Sequence, residues 1–218
     1  MHIVGFLRVT KLRFVKKEHE GTDTYSFFFS PSRPLKHIAG QHGLFILPRL
    51  KGLRIFSLSS APSEEYVRIT TRIRKESSYK QHLYSLKAGD EITLCGPVLD
   101  FIFTNKDSHY VFLAQGIGIT PFRSLLVEAS IKKLNVTCDL IHVDGGAHMF
   151  RNETESLANW SLYPTNPLEF TDAVNKTVTP KAVYYISGSP KFVQATKQTL
   201  RTLGVKSNHV KSDSFFGY

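Results

Sequence analysis

Three stretches of this sequence carry residue types that could do chemistry. The first is Gln115-Gly116-Ile117-Gly118-Ile119-Thr120-Pro121, which follows an apolar run and opens a helix-period one. Glycines there let backbone N–H groups approach a phosphate closely, and a helix N-terminus adds partial positive charge. Pro121 suits a first helical turn, where its missing N–H would be unpaired anyway. It also stands where a full dinucleotide fingerprint carries a third glycine. The second stretch, Ser187-Gly188-Ser189-Pro190, again links a strand pattern to a helix pattern. Either glycine turn alone could be an ordinary connection. Two at the carboxyl ends of strands favour a ligand. The third stretch is Arg54-Ile55-Phe56-Ser57-Leu58-Ser59-Ser60. It offers a cation for phosphate, a ring for stacking and hydroxyls for ring heteroatoms, although by itself it also reads as a plain strand.

Asp144 ends a strand pattern past the first loop, where an acid can hold a ribose hydroxyl. It would repel a 2′-phosphate, and no Arg or Lys lies between Ile141 and His148 to attract one. That leans to NADH over NADPH, against the alternative of a solvent-facing loop aspartate. Metal chemistry is not indicated. The nine histidines are scattered, with none at ligand spacing to Cys or a carboxylate. Cys95 and Cys138 are far apart and in no redox spacing, which suits a reducing, cytoplasmic setting.

The elements that must position these residues change character midway. The first half alternates in short runs: Ile3–Val9, Thr24–Phe29, Gly43–Leu47, Tyr66–Arg72 and Glu91–Leu94. Turn signals separate them, Gly96-Pro97 among them, and one short helix fits Ser78–Ser85. This predicts an antiparallel β-barrel or sandwich. The second half alternates strand and helix: Tyr110–Ala114, Pro121–Lys133, Val136–Val143, Ala182–Ser187 and Pro190–Leu203. This predicts an α/β doubly wound parallel sheet. The polar connector Thr104–Ser108 divides the chain into 1–104 and 105–218.

Net charge is +10. Residues 1–104 carry 16 Lys and Arg against 9 Asp and Glu, so most of the excess sits in the first half. Such a surface attracts acidic partners or phosphates, or is simply solvated. Apolar runs are too short to cross a bilayer, and Met1–Thr10 has no secretory pattern.

In this order the motifs resemble the ferredoxin–NAD(P)H reductase superfamily. That family carries Arg-x-Tyr-Ser, then Gly-x-Gly-x-x-Pro, then Cys-Gly-x-x, then an aromatic C-terminus. Here the counterparts are Arg54-Ile55-Phe56-Ser57, Gly116–Pro121, Ser187-Gly188-Ser189-Pro190 and Asp213-Ser214-Phe215-Phe216-Gly217-Tyr218. Ala39-Gly40-Gln41 resembles its Pro-Gly-Gln, and Gly89-Asp90 with Gly96-Pro97 resembles the end of its barrel. The resemblance covers nearly the whole chain. It implies a flavin barrel followed by an NAD(P)-binding domain, with FAD rather than FMN as cofactor and NAD(P)H as co-substrate.

Residue by residue, the resemblance implies that Arg54 binds the flavin pyrophosphate. Phe56 lies against the ring, and Ser57, followed by Leu58, hydrogen-bonds near flavin N5. Thr71 and Arg72 line the ribityl or pyrimidine side. Ser77 and Ser78 hold phosphate. Gly116, Gly118, Thr120, Pro121, Asp144 and Gly188 serve the dinucleotide, with Thr120 where the cofactors meet. Ser187 replaces the family's cysteine near the hydride path, and Phe216 or Tyr218 covers the ring. Phe56 replaces the usual tyrosine, and the glycine usual before Ser77-Ser78 is missing. No four-cysteine cluster marks a fused iron–sulfur domain.

The expected activity is hydride transfer from NAD(P)H to flavin, then electrons to an external acceptor. A basic barrel favours an acidic electron-transfer protein such as a ferredoxin or flavodoxin. Alternatives are a flavin or ferric reductase acting on small molecules, a regulatory flavin-holding subunit without turnover, and a basic nucleic-acid-binding barrel. Phe27-Phe28-Phe29 at strand spacing reads as core rather than as a stacking platform, which disfavours the last.

Overall fold

Alternating burial along residues 9–98 builds one antiparallel sheet in a computed structural model that describes residues 8–48, 52–104, 108–146, 148–179 and 181–215. Its strands are β1 (Val9–Gly21), β2 (Thr24–Pro31), β3 (His42–Ile46), β4 (Arg54–Ser57), β5 (Val67–Arg72) and β6 (Glu91–Val98). They pair in the order β4-β3-β6-β1-β2-β5. The outer strands approach through the chain after β4, where the Ser59 N–H donates to the Arg68 carbonyl at 2.8 Å. Leu12, Phe27, Phe29, Phe45, Leu58 and Ile69 fill the interior. Helix α1 (Ser78–Ser85) plugs one end, with Tyr79 and Leu83 buried and Ser77 as its N-cap.

Sequence and structure differ at two places in this half. The expected strand at 3–9 lies mostly outside the described residues. The long strand β1 runs instead through the polar run Lys16-Lys17-Glu18-His19-Glu20, which pattern alone would not favour. Pairing with β2 sustains it: Lys16 to His19 stand opposite Phe28 to Tyr25, while β6 pairs only with the Val9–Arg13 end. At Gly96-Pro97, expected as a turn, β6 continues to Val98. A register irregularity between His42 and Leu44 on β3 absorbs the break, and Gly96 takes φ +139.

The second half forms five parallel strands: β7 (His109–Gln115), β8 (Thr137–Val143), β9 (Trp160–Leu162), β10 (Val183–Gly188) and β11 (Val210–Ser214). Their order is β11-β10-β7-β8-β9, so the winding direction reverses between β7 and β10. Ligands in such sheets bind at the carboxyl ends beside that reversal. The helices are α2 (Ile119–Ile131), α3 (Arg151–Leu157), α4 (Pro167–Thr177) and α5 (Pro190–Thr202). Tyr110, Phe112 and Ala114 point to the α2 side, where Phe112 stacks on Phe122 at 4.6 Å. Val111 and Leu113 point to the other side, against Val174, Val193 and Leu200.

This is the expected antiparallel barrel followed by a doubly wound parallel sheet. Elements α3, β9, α4 and β11 had no counterpart in the sequence reading. Strand β11 is Val-Lys-Ser-Asp-Ser, and only its ladder with β10 marks it as a strand.

Helix α2 locks the halves together. The Arg123 guanidinium, 5% exposed, donates to the Ser59 carbonyl at 2.7 Å and to both Glu64 oxygens at 2.8 Å. It also bonds Glu153 at 2.8 Å. Beside it the Ser124 hydroxyl donates to the Ser60 carbonyl at 2.7 Å. Phe101 reaches from the end of the barrel segment into the α2 core.

Candidate functional site

Of the cavities that open along the seam between the sheets, two share a wall. The first has a volume of about 550 Å³. The barrel contributes His42, Arg54, Phe56, Ser57, Thr71, Ser77 and Lys80 to its wall, and the parallel sheet contributes Ile117, Thr120, Asp213 and Phe215. The second, about 560 Å³, lies at the carboxyl ends of β7 and β8 and is lined by Gln115, Gly116, Ile117, Asp144, Thr165, Pro167 and Ser189, with Arg72 from the barrel. Ile117 stands in the wall of both.

The first cavity has a cationic end. Arg54 is exposed on β4, its guanidinium 5.3 Å from the Tyr79 ring. Lys80 lies buried on α1. Burial, together with the charges of Arg74, Arg54 and Arg72, holds its ammonium below the ordinary value. A group that is desolvated among like charges favours an anion beside it. The Ser77 hydroxyl caps α1 by accepting from the Lys80 N–H, and Ser78 is exposed. Phe56 is half-buried, between Phe45 at 5.7 Å and Tyr79 at 6.2 Å.

Ser57 faces its cross-strand partner His42, with Oγ 3.0 Å from Nε2. The same nitrogen is 2.8 Å from Asp213 Oδ2, on the far sheet. Leu58 turns into the barrel core and touches neither cavity. Thr71 and Arg72 part company, as neighbours on a strand must. Thr71 lines the first cavity, whereas Arg72 lines the second and sits 3.8 Å from Asp144.

The glycine loop takes a 3-10 turn before α2. Gly116 adopts φ +52, in the left-handed region, close under Arg72 and Asp144. Gly118 is small for a packing reason: a Cβ there would lie 2.1 Å from the Ser187 carbonyl oxygen. The Thr120 hydroxyl donates to the Ile117 carbonyl at 3.0 Å and faces the first cavity. Pro121 is buried in the first turn of α2. Gly188 is pressed between Phe192 and Gln115. Gln115 joins the two loops, its Oε1 accepting from the Ser189 hydroxyl at 2.7 Å. Ser187 is sealed at 0% exposure, its Oγ without a hydrogen-bond partner, and lines neither cavity. Asp144 accepts from the Gly146 N–H at 3.1 Å.

Phe216 and Tyr218 lie outside the described residues. Phe215, their neighbour, is half-buried in the wall of the first cavity, its N–H bonded to the Gly188 carbonyl at 3.0 Å.

Sequence reasoning missed His42 and Lys80. A lysine on a short helix reads as surface. His42 directly follows Ala39-Gly40-Gln41, so that motif was the available signal. His142 is buried on β8, its Nε2 bonded to the Gly116 carbonyl at 2.9 Å, and burial lowers its pKa to about 3. Among the described residues, no cluster of His, Cys, Asp and Glu could hold a metal ion. No described helix is long and apolar enough to cross a membrane.

No family model matches the chain. The flavohemoprotein of Bacillus subtilis is 27% identical over 92% of this chain, which spans 57% of that protein's length. The FAD/NAD-binding domain of nitric oxide dioxygenase from Vibrio cholerae superposes with a TM-score of 0.77 at 23% identity, covering 94% of this chain and 98% of that one. A ferredoxin–NADP+ reductase from Neisseria gonorrhoeae, with bound FAD and NADP, gives 0.80 at 19% identity over 95% and 99%. The barrel, the parallel sheet and the seam between them are therefore the two-domain fold of the ferredoxin–NADP+ reductases, which the chain shares with the FAD/NAD-binding domain of that dioxygenase.

Proposed function

We propose that this chain is an NAD(P)H-dependent flavoprotein reductase, with a flavin-holding unit at 1–104 and a nicotinamide-binding unit at 105–218. The observation that carries this is the pair of cavities sharing Ile117. Two ligands held there would meet along one short wall, as direct transfer between them requires.

The donor set of the first cavity fits a flavin nucleotide, and the bound FAD of similarly folded proteins favours FAD over FMN. Arg54 and Lys80 supply cations for its phosphates, Phe56 an apolar face, and Ser57 and Thr71 hydroxyls for polar ring edges. Phe215 closes the side toward the parallel sheet. When bound, the flavin accepts a hydride and hands on electrons. The protein's share is to hold two ligands in register and exclude water. Gly116 and the start of α2 cradle the dinucleotide pyrophosphate, with Arg72 as the cation above them. Asp144 takes a ribose hydroxyl and its carboxylate repels a 2′-phosphate, which leans the preference toward NADH, with Arg72 serving the pyrophosphate.

The full chain incubated with FAD should turn yellow. Anaerobic NADH should then bleach the flavin band faster than NADPH does. A protein that stays colourless with both FAD and FMN would sink the proposal.

The acceptor is an acidic electron-transfer protein drawn to the basic barrel. The likeness to flavohemoproteins and to flavohemoglobin with bound FAD and heme favours a second reading, in which a heme protein takes the electrons. Turnover with either protein should fall as salt rises past about 0.1 M, where screening reaches roughly 10 Å. Turnover with ferricyanide should barely change, and equal salt dependence would point to small-molecule acceptors.

A further inference from the structure

His42 is 2% exposed, yet one of its nitrogens meets two partners from different halves of the fold. Its Nε2 lies 3.0 Å from Ser57 Oγ and 2.8 Å from Asp213 Oδ2. Its Nδ1 is buried without a hydrogen-bond partner. Ser, His and Asp side by side suggest a nucleophilic relay, but the geometry rules that out here. A relay uses opposite ring nitrogens for the hydroxyl and the carboxylate. Here both meet Nε2.

The arrangement has a different logic. A carboxylate only accepts hydrogen bonds, so Nε2 must carry the hydrogen that joins it to Asp213. A hydrogen on Nδ1 instead would be buried without an acceptor and would leave two acceptors facing each other at Nε2. Ser57 Oγ therefore also meets a donor at Nε2. One of its two lone pairs is taken, and its own hydrogen is free to turn toward the cavity.

We propose that His42, anchored by Asp213, is a positioning residue that fixes Ser57 as a hydrogen-bond donor toward the cavity. The site thereby selects a ligand that presents an acceptor, such as an imine-type nitrogen or a carbonyl oxygen, at that point. This rests on the flavin reading for the identity of the ligand, though not for the polarity of the hydroxyl. It also ties strand β11 of the parallel sheet to a contact made by the barrel.

The test has two arms on the full chain. The first is 15N NMR of histidine-labelled protein without added flavin. The His42 ring should show hydrogen on Nε2, and Asp213→Asn should shift its signals. Hydrogen on Nδ1 would overturn the proposal. The second arm measures binding of oxidised FAD. Ser57→Ala and His42→Phe should each weaken it about tenfold, the loss of roughly one hydrogen bond. The double variant should be no weaker than either single one, because His42 acts through Ser57. His42→Gln, which keeps a donor in reach, should bind within about twofold of the native protein. Full additivity of the two single losses would overturn the proposal. Should His42→Phe not fold, Asp213→Asn combined with Ser57→Ala gives the same cycle. If the native protein binds neither FAD nor FMN, the flavin reading fails, while the NMR arm still decides the polarity of Ser57.

Discussion

At the scale of single residues, the seam separates groups that serve ligands from groups that serve the loops around them. On the proposed function, Ser57 is of the first kind. Ser57→Ala should slow reduction of bound flavin by NADH about 100-fold, the usual cost of losing one placed donor, with the fold intact by circular dichroism. Stopped-flow absorbance would measure it, and an unchanged rate would remove Ser57 from the chemistry. His142 is of the second kind. Burial lowers its folded pKa from 6.5 to about 3, so between those values the unfolded chain binds more protons. Its contribution to stability is whole above about pH 6.5 and is lost as pH falls toward 3. Urea melts at stepped pH should show a slope of up to about 1.4 kcal/mol per unit across that window. The slope should flatten in His142→Phe.

At the scale of elements, the glycine loop shows what a motif does and does not reveal. The run from Gly116 to Pro121 marked the strand-to-helix turn correctly, yet Gly118 is small because the Ser187 carbonyl crosses over it. Gly118→Ala should therefore cost about 3 kcal/mol by overpacking even without ligand, measured by thermal melting. A mere loss of nucleotide affinity at unchanged stability would restore the phosphate explanation. Strong local patterns such as α1, α2, α5, β7 and β10 were legible in the sequence. Strands β1 and β11 were not, because pairing rather than pattern holds their polar residues: those of β1 sit in a hairpin ladder with β2, and those of β11 in a parallel ladder with β10. The site divides the same way. Arg54, Ser57 and Thr120 stand in short motifs. Lys80 becomes visible only when the fold brings α1 to the barrel wall, His42 beside its short motif meets Asp213 only through β11, and strand alternation sends Arg72 away from Thr71.

At the scale of the whole molecule, one buried arginine holds the two sheets in register. Among the described residues, Arg123→Ala would leave Glu64 with only the Ala61 N–H and Glu153 with only Arg68, and would remove the guanidinium from the Ser59 carbonyl. Burial raises the Glu64 pKa and Arg123 more than offsets this, so the two groups depend on each other. The variant should lose about 3 kcal/mol in a denaturant melt. Loss of flavin retention should exceed loss of secondary structure, because the cavity spans the seam. A variant with native retention would show that the remaining contacts suffice. The bond from His42 to Asp213 crosses 171 residues of chain. On a ribosome working at about 5–20 residues per second, the barrel would emerge roughly 5–20 s before the strand that completes its wall. Cofactor retention would then report that synthesis has run through β11, and a chain cut short before Val210 would leave its pocket open to solvent on one side.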